Sequence, residues 1–167
     1  MKQINIQYYK TKLGTIIMGS YGNKLCLFDF RDKEKRKSID NRLKRYLKAD
    51  FVEQDNNLLK ITRKQFDEYI EGRREEFDIP LLMLGTEFQK NVWRALLNIP
   101  YGTTKSYANI AEVIGNKKAV RAVANANGAN AIGIIIPCHR IIGSDGTLTG
   151  YAGGLDLKDK LLKLEQK

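Results

Sequence analysis

Ile134-Ile135-Ile136-Pro137-Cys138-His139-Arg140-Ile141-Ile142 sets a cysteine beside the only histidine of the chain and encloses the pair in isoleucine. Apolar runs this short read as buried strands. Pro137 has no amide proton for a ladder and is expected to end the first of them. Cys138 is then expected where the chain leaves the core between two buried segments, held rigidly and next to a base. A lone cysteine most often packs as a small hydrophobe. His139 and Arg140, polar groups inside an apolar run, point instead to a functional site.

Working back from this stretch, Asn125-Ala126-Asn127-Gly128-Ala129-Asn130 carries the side chains that favour tight turns. Asn130 is a candidate brace for the connection into the isoleucine run. Before it, Ser106 to Ile114 reads as a helix stopped by Gly115-Asn116, and a further helix is expected from Lys117. Two short helices with so brief a turn suggest a helix-turn-helix. On a helical wheel Lys117, Lys118, Arg121 and Asn125 share an arc opposite Val120, Val123 and Ala124, flanked by Ala119, Ala122 and Ala126. A cationic face edged by small side chains suits close approach to nucleic acid, with Arg121 at its centre. Upstream, Thr86-Glu87-Phe88-Gln89 is a capping-box pattern. The helix behind it has Phe88, Val92, Ala95 and Leu96 on one face and Trp93 at its margin.

Beyond the organising stretch, Ser144-Asp145-Gly146 reads as a turn and Tyr151-Ala152-Gly153-Gly154 as a loop whose backbone can come close to a ligand. A last helix is expected over 155–165 with a stripe of Leu157, Leu161 and Leu164. Glu165 falls between Leu161 and Leu162 on that wheel. A carboxylate turned inward needs a partner, and His139 is the natural one.

The first half is different in kind. Residues 3–9, 14–18 and 24–30 have strand chemistry and read as an antiparallel meander, with Cys26 packed inside the third strand. Arg31 to Lys37 reads as a solvated loop. A short helix is expected around Leu43, Tyr46 and Leu47. A longer one is expected over 57–71, with Leu58, Ile61, Phe66, Tyr69 and Ile70 on one side, and Phe77 to Pro80 returns as a strand. The expectation is a small α/β scaffold over 1–79 and a chemical domain over 80–167.

The chain has 167 residues and a formal net charge of +10, which favours a polyanionic partner. Residues 1–79 carry 18 basic and 13 acidic side chains and residues 80–167 carry 11 and 6. The cations of the second half are therefore less neutralised by neighbours. No run has membrane-spanning length and the N-terminus lacks the apolar core of a signal peptide, so a cytosolic protein with reduced cysteines is expected. One histidine and two cysteines form no structural zinc pattern.

Pro137-Cys138-His139-Arg140, with Ile134-Ile135-Ile136 before it and Tyr151-Ala152-Gly153-Gly154-Leu155 after it, resembles the O6-alkylguanine-DNA alkyltransferases, the methylated-DNA–protein-cysteine methyltransferases. The likeness extends from about Gly85 to Glu165 and includes Gly85-Thr86-Glu87-Phe88-Gln89 and Tyr101-Gly102. It implies a ribonuclease-H-like α/β domain followed by a mostly helical, winged-helix-like domain with a helix-turn-helix. It also implies a single-turnover DNA repair reaction, in which Cys138 takes a methyl group irreversibly from O6 of guanine, and to some degree from O4 of thymine.

By the same resemblance His139 deprotonates the thiol through a bridging water, and Glu165 orients the histidine. Asn130 braces the site and Tyr107 donates a proton to the departing guanine. The logic is that of an acid–histidine–nucleophile triad aimed at an alkyl carbon. Arg121 fills the stack vacated by a flipped base, with the recognition helix in the minor groove. Tyr151, Ala152, Gly153 and Arg140 line the alkyl pocket. The expected partner is double-stranded DNA carrying O6-alkylguanine, met by a monomer with no cofactor and no metal. Ala131 stands where relatives often have proline, and Ala152 where some have a hydroxyl. Two rival readings are a lesion-binding protein without transfer activity, which would lack the reactive cysteine, and a thiol hydrolase, which would need an oxyanion hole.

Overall fold

The computed structural model describes residues 2–146 and 154–166. Cα proximity divides the chain into Met1–Leu84 and Gly85–Lys167. The break falls after residue 79 because Pro80 and Leu82 hydrogen-bond with Leu25, so this segment runs along a strand of the first unit.

In the first unit, β1 (Gln3–Thr11), β2 (Gly14–Tyr21) and β3 (Lys24–Phe30) form the expected antiparallel meander. A fourth strand, β4 (Asp50–Glu53), pairs parallel to β1 and gives the order β3-β2-β1-β4. It was not foreseen, because a four-residue strand with one partly buried side chain carries almost no alternation. The charge run is an exposed connection as expected except at Lys33 and Arg36. Lys33 is buried against Asp29 at 2.9 Å, and Arg36 bonds Asp40 at 2.8 Å as it opens α1 (Arg36–Leu47). Opposite charges four residues apart pair with one another here rather than with water.

Helix α2 (Asn57–Ile70) is capped by the Asn56 side chain, which accepts from the Leu59 amide. Its buried face is Leu59, Thr62, Gln65, Phe66, Tyr69 and Ile70, whereas Leu58 is only partly covered and Ile61 is exposed. Thr62 and Gln65 can face inward because each is hydrogen-bonded, Thr62 to the Leu58 carbonyl and Gln65 to the backbone of Asp78. Phe66 meets Phe28 of β3 edge-to-face at 5.0 Å, which seats the helix on the sheet. Residues 77–80 add no strand of their own. Cys26 is buried and its thiol is pushed up to about 12 by desolvation, so it packs and does not react.

In the second unit α3 (Glu87–Leu97) begins with the complete capping box of Thr86 and Gln89. Trp93 lies at the centre of its packing rather than at the margin: it is buried and its indole N–H donates to the Ala126 carbonyl at 2.9 Å. Phe88 is only partly covered. A two-residue strand β5 (Lys105–Ser106) leads into α4 (Tyr107–Val113), whose capping box pairs Ser106 with Asn109. The turn at Gly115, with φ 78°, leads to α5 (Val120–Gly128), which starts later than Lys117. Strand β6 (Ile141–Ile142) pairs parallel to β5, and α6 (Leu155–Gln166) closes the unit. Among the described residues no helix is long and apolar enough to cross a membrane.

Candidate active site

The isoleucine run does not form a strand. After α5 the chain winds tightly, with Ile135 N–H to Gly133 O, Ile136 N–H to Ile132 O and Cys138 N–H to Ile136 O, and every residue from 130 to 141 is buried. Ile134 has φ 68°, a left-handed conformation that a β-branched residue rarely adopts. Asn130 holds this winding together. Its Oδ1 accepts from the Ile132 amide at 3.0 Å, and its Nδ2 donates to the Ile136 carbonyl at 3.0 Å and the Ile132 carbonyl at 3.3 Å. Buried carbonyls that would pair in a strand are satisfied here by one amide side chain. Pro137 then opens a single 3-10 turn, Cys138–Arg140, which places three reactive or charged groups on consecutive positions.

Cys138 is 5% exposed and His139 is fully buried. Asn127, which the sequence reading treated only as part of a turn-rich run, donates from Nδ2 to the Cys138 carbonyl at 3.4 Å. His139 Nε2 lies 2.7 Å from Glu165 Oε2. Arg140 faces Glu165. It is buried and grips the same carboxylate through Nε (2.8 Å to Oε1) and Nη2 (3.0 Å to Oε2), while Nη1 donates to the Ile99 carbonyl. Its guanidinium also lies over the Tyr101 ring at 5.7 Å. The Gly102 amide donates to Glu165 Oε1 at 3.3 Å. Gly102 has φ 76°, and a Cβ there would meet the Glu165 carbonyl at 3.2 Å, so glycine is needed on both counts. Glu165 is thus a buried carboxylate compensated by an arginine, an imidazole and an amide.

This arrangement fixes the chemistry available to His139. Burial lowers its pKa below 6.5, against the opposing pull of Glu165. The neutral ring presents its N–H to the carboxylate from Nε2, which leaves a lone pair on Nδ1. Among the described residues Nδ1 has no hydrogen-bond partner. The ring is therefore a base with its proton-accepting atom unengaged. As pH falls, the unfolded imidazole takes a proton before the folded one does. Stability is full above about pH 6.5 and declines below it, by at most about 1.4 kcal/mol per pH unit. Because the chain has one histidine, a single imidazole C2–H resonance reports this group. Its midpoint is expected clearly below 6.5, and a midpoint at or above 6.5 would contradict the burial argument.

Helix α6 carries the expected Glu165, but its buried stripe is Lys158, Leu161 and Glu165, with Leu157 and Leu164 only partly covered. Two of the three inward positions are charged, and Lys158 escaped the sequence reading entirely. Tyr107 is the first residue of α4, directly after β5, whose partner β6 directly follows the 3-10 turn. Tyr151, Ala152 and Gly153 lie outside the described residues.

On the face of α5, Lys117, Lys118, Arg121, Ala122 and Asn125 are exposed and Ala119 is partly so. Lys117 and Lys118 precede the helix rather than belonging to it, and Val120 is exposed instead of opposed to them. Ala126 leaves the face altogether, buried with its carbonyl bonded to Trp93.

Residues 4–83 match the family model described as 6-O-methylguanine DNA methyltransferase, ribonuclease-like domain. Residues 87–167 match the one described as 6-O-methylguanine DNA methyltransferase, DNA binding domain. A methylated-DNA–protein-cysteine methyltransferase of Methanosarcina barkeri is 45% identical over 94% of this chain and 94% of its own length. Among solved structures, an O6-methylguanine methyltransferase of Mycobacterium tuberculosis superposes with TM-score 0.83 at 36% identity, covering 98% of this chain and 93% of its own. A second structure from that organism, in complex with DNA, gives TM-score 0.83 at 37% identity over 97% and 92% of the two chains. With both halves matched and a relative this similar over nearly its whole length, the chain belongs to the 6-O-methylguanine DNA methyltransferase family.

Proposed function

We propose that this chain repairs O6-alkylated guanine, and O4-methylthymine to some degree, by moving the alkyl group onto Cys138. The observation that carries the assignment is the buried run of Cys138, His139 and Glu165, in which Nδ1 of the base has no hydrogen-bond partner among the described residues and Nε2 faces Glu165. The Cys138 proton passes to His139 Nδ1, through a water as in the family, and Glu165 stabilises the imidazolium that forms. The thiolate attacks the alkyl carbon, an S–C bond forms, and the C–O6 bond breaks. Tyr107 gives its phenolic proton to the departing guanine. The product is a thioether with no leaving group, so each chain acts once.

The partner is double-stranded DNA, and the M. tuberculosis relative has been solved in complex with DNA. Arg121 enters the stack from the minor groove. Lys117, Lys118 and Asn125 contact the backbone, and Ala119 and Ala122 allow close approach. Tyr151, Ala152 and Gly153 form the wall of the alkyl pocket. The protein works as a monomer in the cytosol without a metal or cofactor, since one chain and one lesion complete the reaction. Incubation with a duplex containing O6-methylguanine is expected to add one methyl group per chain, mapped to Cys138 by peptide mass and absent in Cys138→Ser. Binding without a mass change would favour the lesion sensor, and repeated turnover would favour a hydrolase; either result overturns the assignment.

A further inference from the structure

Asn127 is 2% exposed on the inner face of α5, with Val123 and Ala126, where packing alone favours an apolar side chain. Asparagine is also a weak helix former, because its side chain competes for backbone partners. Its two polar atoms are used unequally. Nδ2 donates to the Cys138 carbonyl at 3.4 Å, whereas Oδ1 is buried and has no hydrogen-bond partner among the described residues. A buried amide oxygen left unmatched is costly, so the fold alone does not account for this side chain. What it holds is the peptide unit that joins the nucleophile to its base. We propose that Asn127 is a positioning residue for the transfer: from α5 it fixes the Cys138–His139 peptide and so keeps the thiol in register with Nδ1 of His139.

Because nucleophile and base are neighbours in sequence, this one bond acts on both. A peptide unit is planar, so between the Cα atoms of Cys138 and His139 only ψ of the first and φ of the second can turn. Rotating that plane swings both side chains at once. The Cys138 carbonyl accepts from the Ile141 amide and from Asn127. Ile141 follows directly in the same turn and would move with it. Asn127 belongs instead to a helix anchored by the Trp93 bond to the Ala126 carbonyl. On the other side of the nucleophile, Asn130 Nδ2 donates to the Ile136 carbonyl, which also accepts from the Cys138 amide. The backbone before and after Cys138 is thus held by one asparagine on each side. The bond from Asn127 is the longer of the two, as hydrogen bonds in a free active site often are before substrate arrives. Asn127 exchanges no proton in the reaction, and the proton leaving Cys138 still goes to His139. The outer face of the same helix presents Arg121, so the element that approaches the DNA is bonded directly to the backbone of the nucleophile.

This inference rests on Cys138 and His139 acting as nucleophile and base, but its test does not need DNA. Asn127→Leu keeps the approximate shape, removes both the donor and the unmatched oxygen, and changes no charge. The titratable groups around the turn all stay: Cys138, His139 and Arg140 within it, and Lys158 and Glu165 on the inward stripe of α6. Alkylation of Cys138 by iodoacetamide, followed by peptide mass, reads the thiol, and Cys26 is buried and serves as the unreactive control. At about pH 7, where the thiol depends on His139, the variant is expected to react about 10²-fold more slowly, the loss that a misplacement of about 1 Å brings. By about pH 9.5 the thiol ionises unaided, and the deficit should shrink to less than about threefold. The urea midpoint of the variant should equal or exceed that of the parent, because the Cys138 carbonyl keeps the Ile141 amide and a buried unmatched oxygen is gone. An unchanged rate at neutral pH overturns the proposal, and so does a deficit of the same size at both pH values, which would reflect general loosening. A variant that unfolds at markedly lower urea, or does not fold, would make Asn127 a structural residue and overturns the proposal equally. Failure of the parent to take methyl from DNA, with the pH-dependent deficit intact, would instead count against the repair assignment alone.

Discussion

Glu165→Gln is expected to lower the unfolding free energy of the protein by about 3–5 kcal/mol and to slow methyl transfer by about 10²–10⁴-fold. The side chain keeps its shape, so the loss is one of charge. Arg140 would be left buried with its carboxylate partner gone, and removing one member of a buried ion pair costs far more than the pair itself contributes. His139 would lose the group that holds its ring and favours its protonated form, which is the form produced when it accepts the Cys138 proton. The two losses separate in a double variant. Arg140→Met combined with Glu165→Gln removes the stranded cation and should restore much of the stability in a urea titration. It should restore none of the rate. In the single variant the imidazole resonance should also titrate at lower pH than in the parent, a change that loosened packing alone would not produce. Recovery of rate along with stability would mean that Glu165 serves the fold and not the proton transfer.

The parts of the molecule legible from sequence are those where residue type and environment agree. The meander of β1 to β3, the capping box at Thr86 and Gln89, and the Gly115 turn follow from alternation, a side-chain acceptor and a positive φ. The Cys138–His139–Arg140 run announced itself because polar groups stood in isoleucine. What escaped has one physical cause. Periodicity locates a buried face by its apolar residues, and this fold repeatedly turns polar ones inward. Lys33, Thr62, Gln65, Lys158 and Arg140 are all buried, and Lys33, Thr62, Gln65 and Arg140 bond to groups within a few residues or on a segment brought in by the tertiary fold. The reverse error has the same origin. Ile134 to Ile136 looked like a strand by composition, but the donors and acceptors there are taken up by Asn130 and by local turns. Ala126 looked like a small residue on a binding face. Only the long-range bond from Trp93 shows that it belongs to the interior.

Arg121→Ala is expected to slow repair of O6-methylguanine in duplex DNA by about 10²-fold while changing the reaction with the free modified base by less than about threefold. The expectation starts from where the residue sits. Arg121 is exposed in the first turn of α5, and the helix is held from behind by Val123 and by the Trp93 bond to Ala126. Removing its side chain therefore touches no packed surface, and the fold should be unaffected. A base in a duplex is beyond reach of a buried thiol, and extruding it costs about a few kcal/mol. A side chain that occupies the vacated stack offsets much of that cost, and about 2.7 kcal/mol corresponds to a factor of 10². The free base needs no extrusion, so it should not register the change. Lys117→Ala and Lys118→Ala supply the contrast. Both side chains are exposed just ahead of the helix, and as phosphate contacts they should weaken binding to damaged and intact duplexes alike and lower the salt slope by about one each. Single-turnover rates on duplex and free base, measured side by side, decide the matter. Equal losses on the two substrates would place Arg121 outside base extrusion and leave it a phosphate contact like its neighbours.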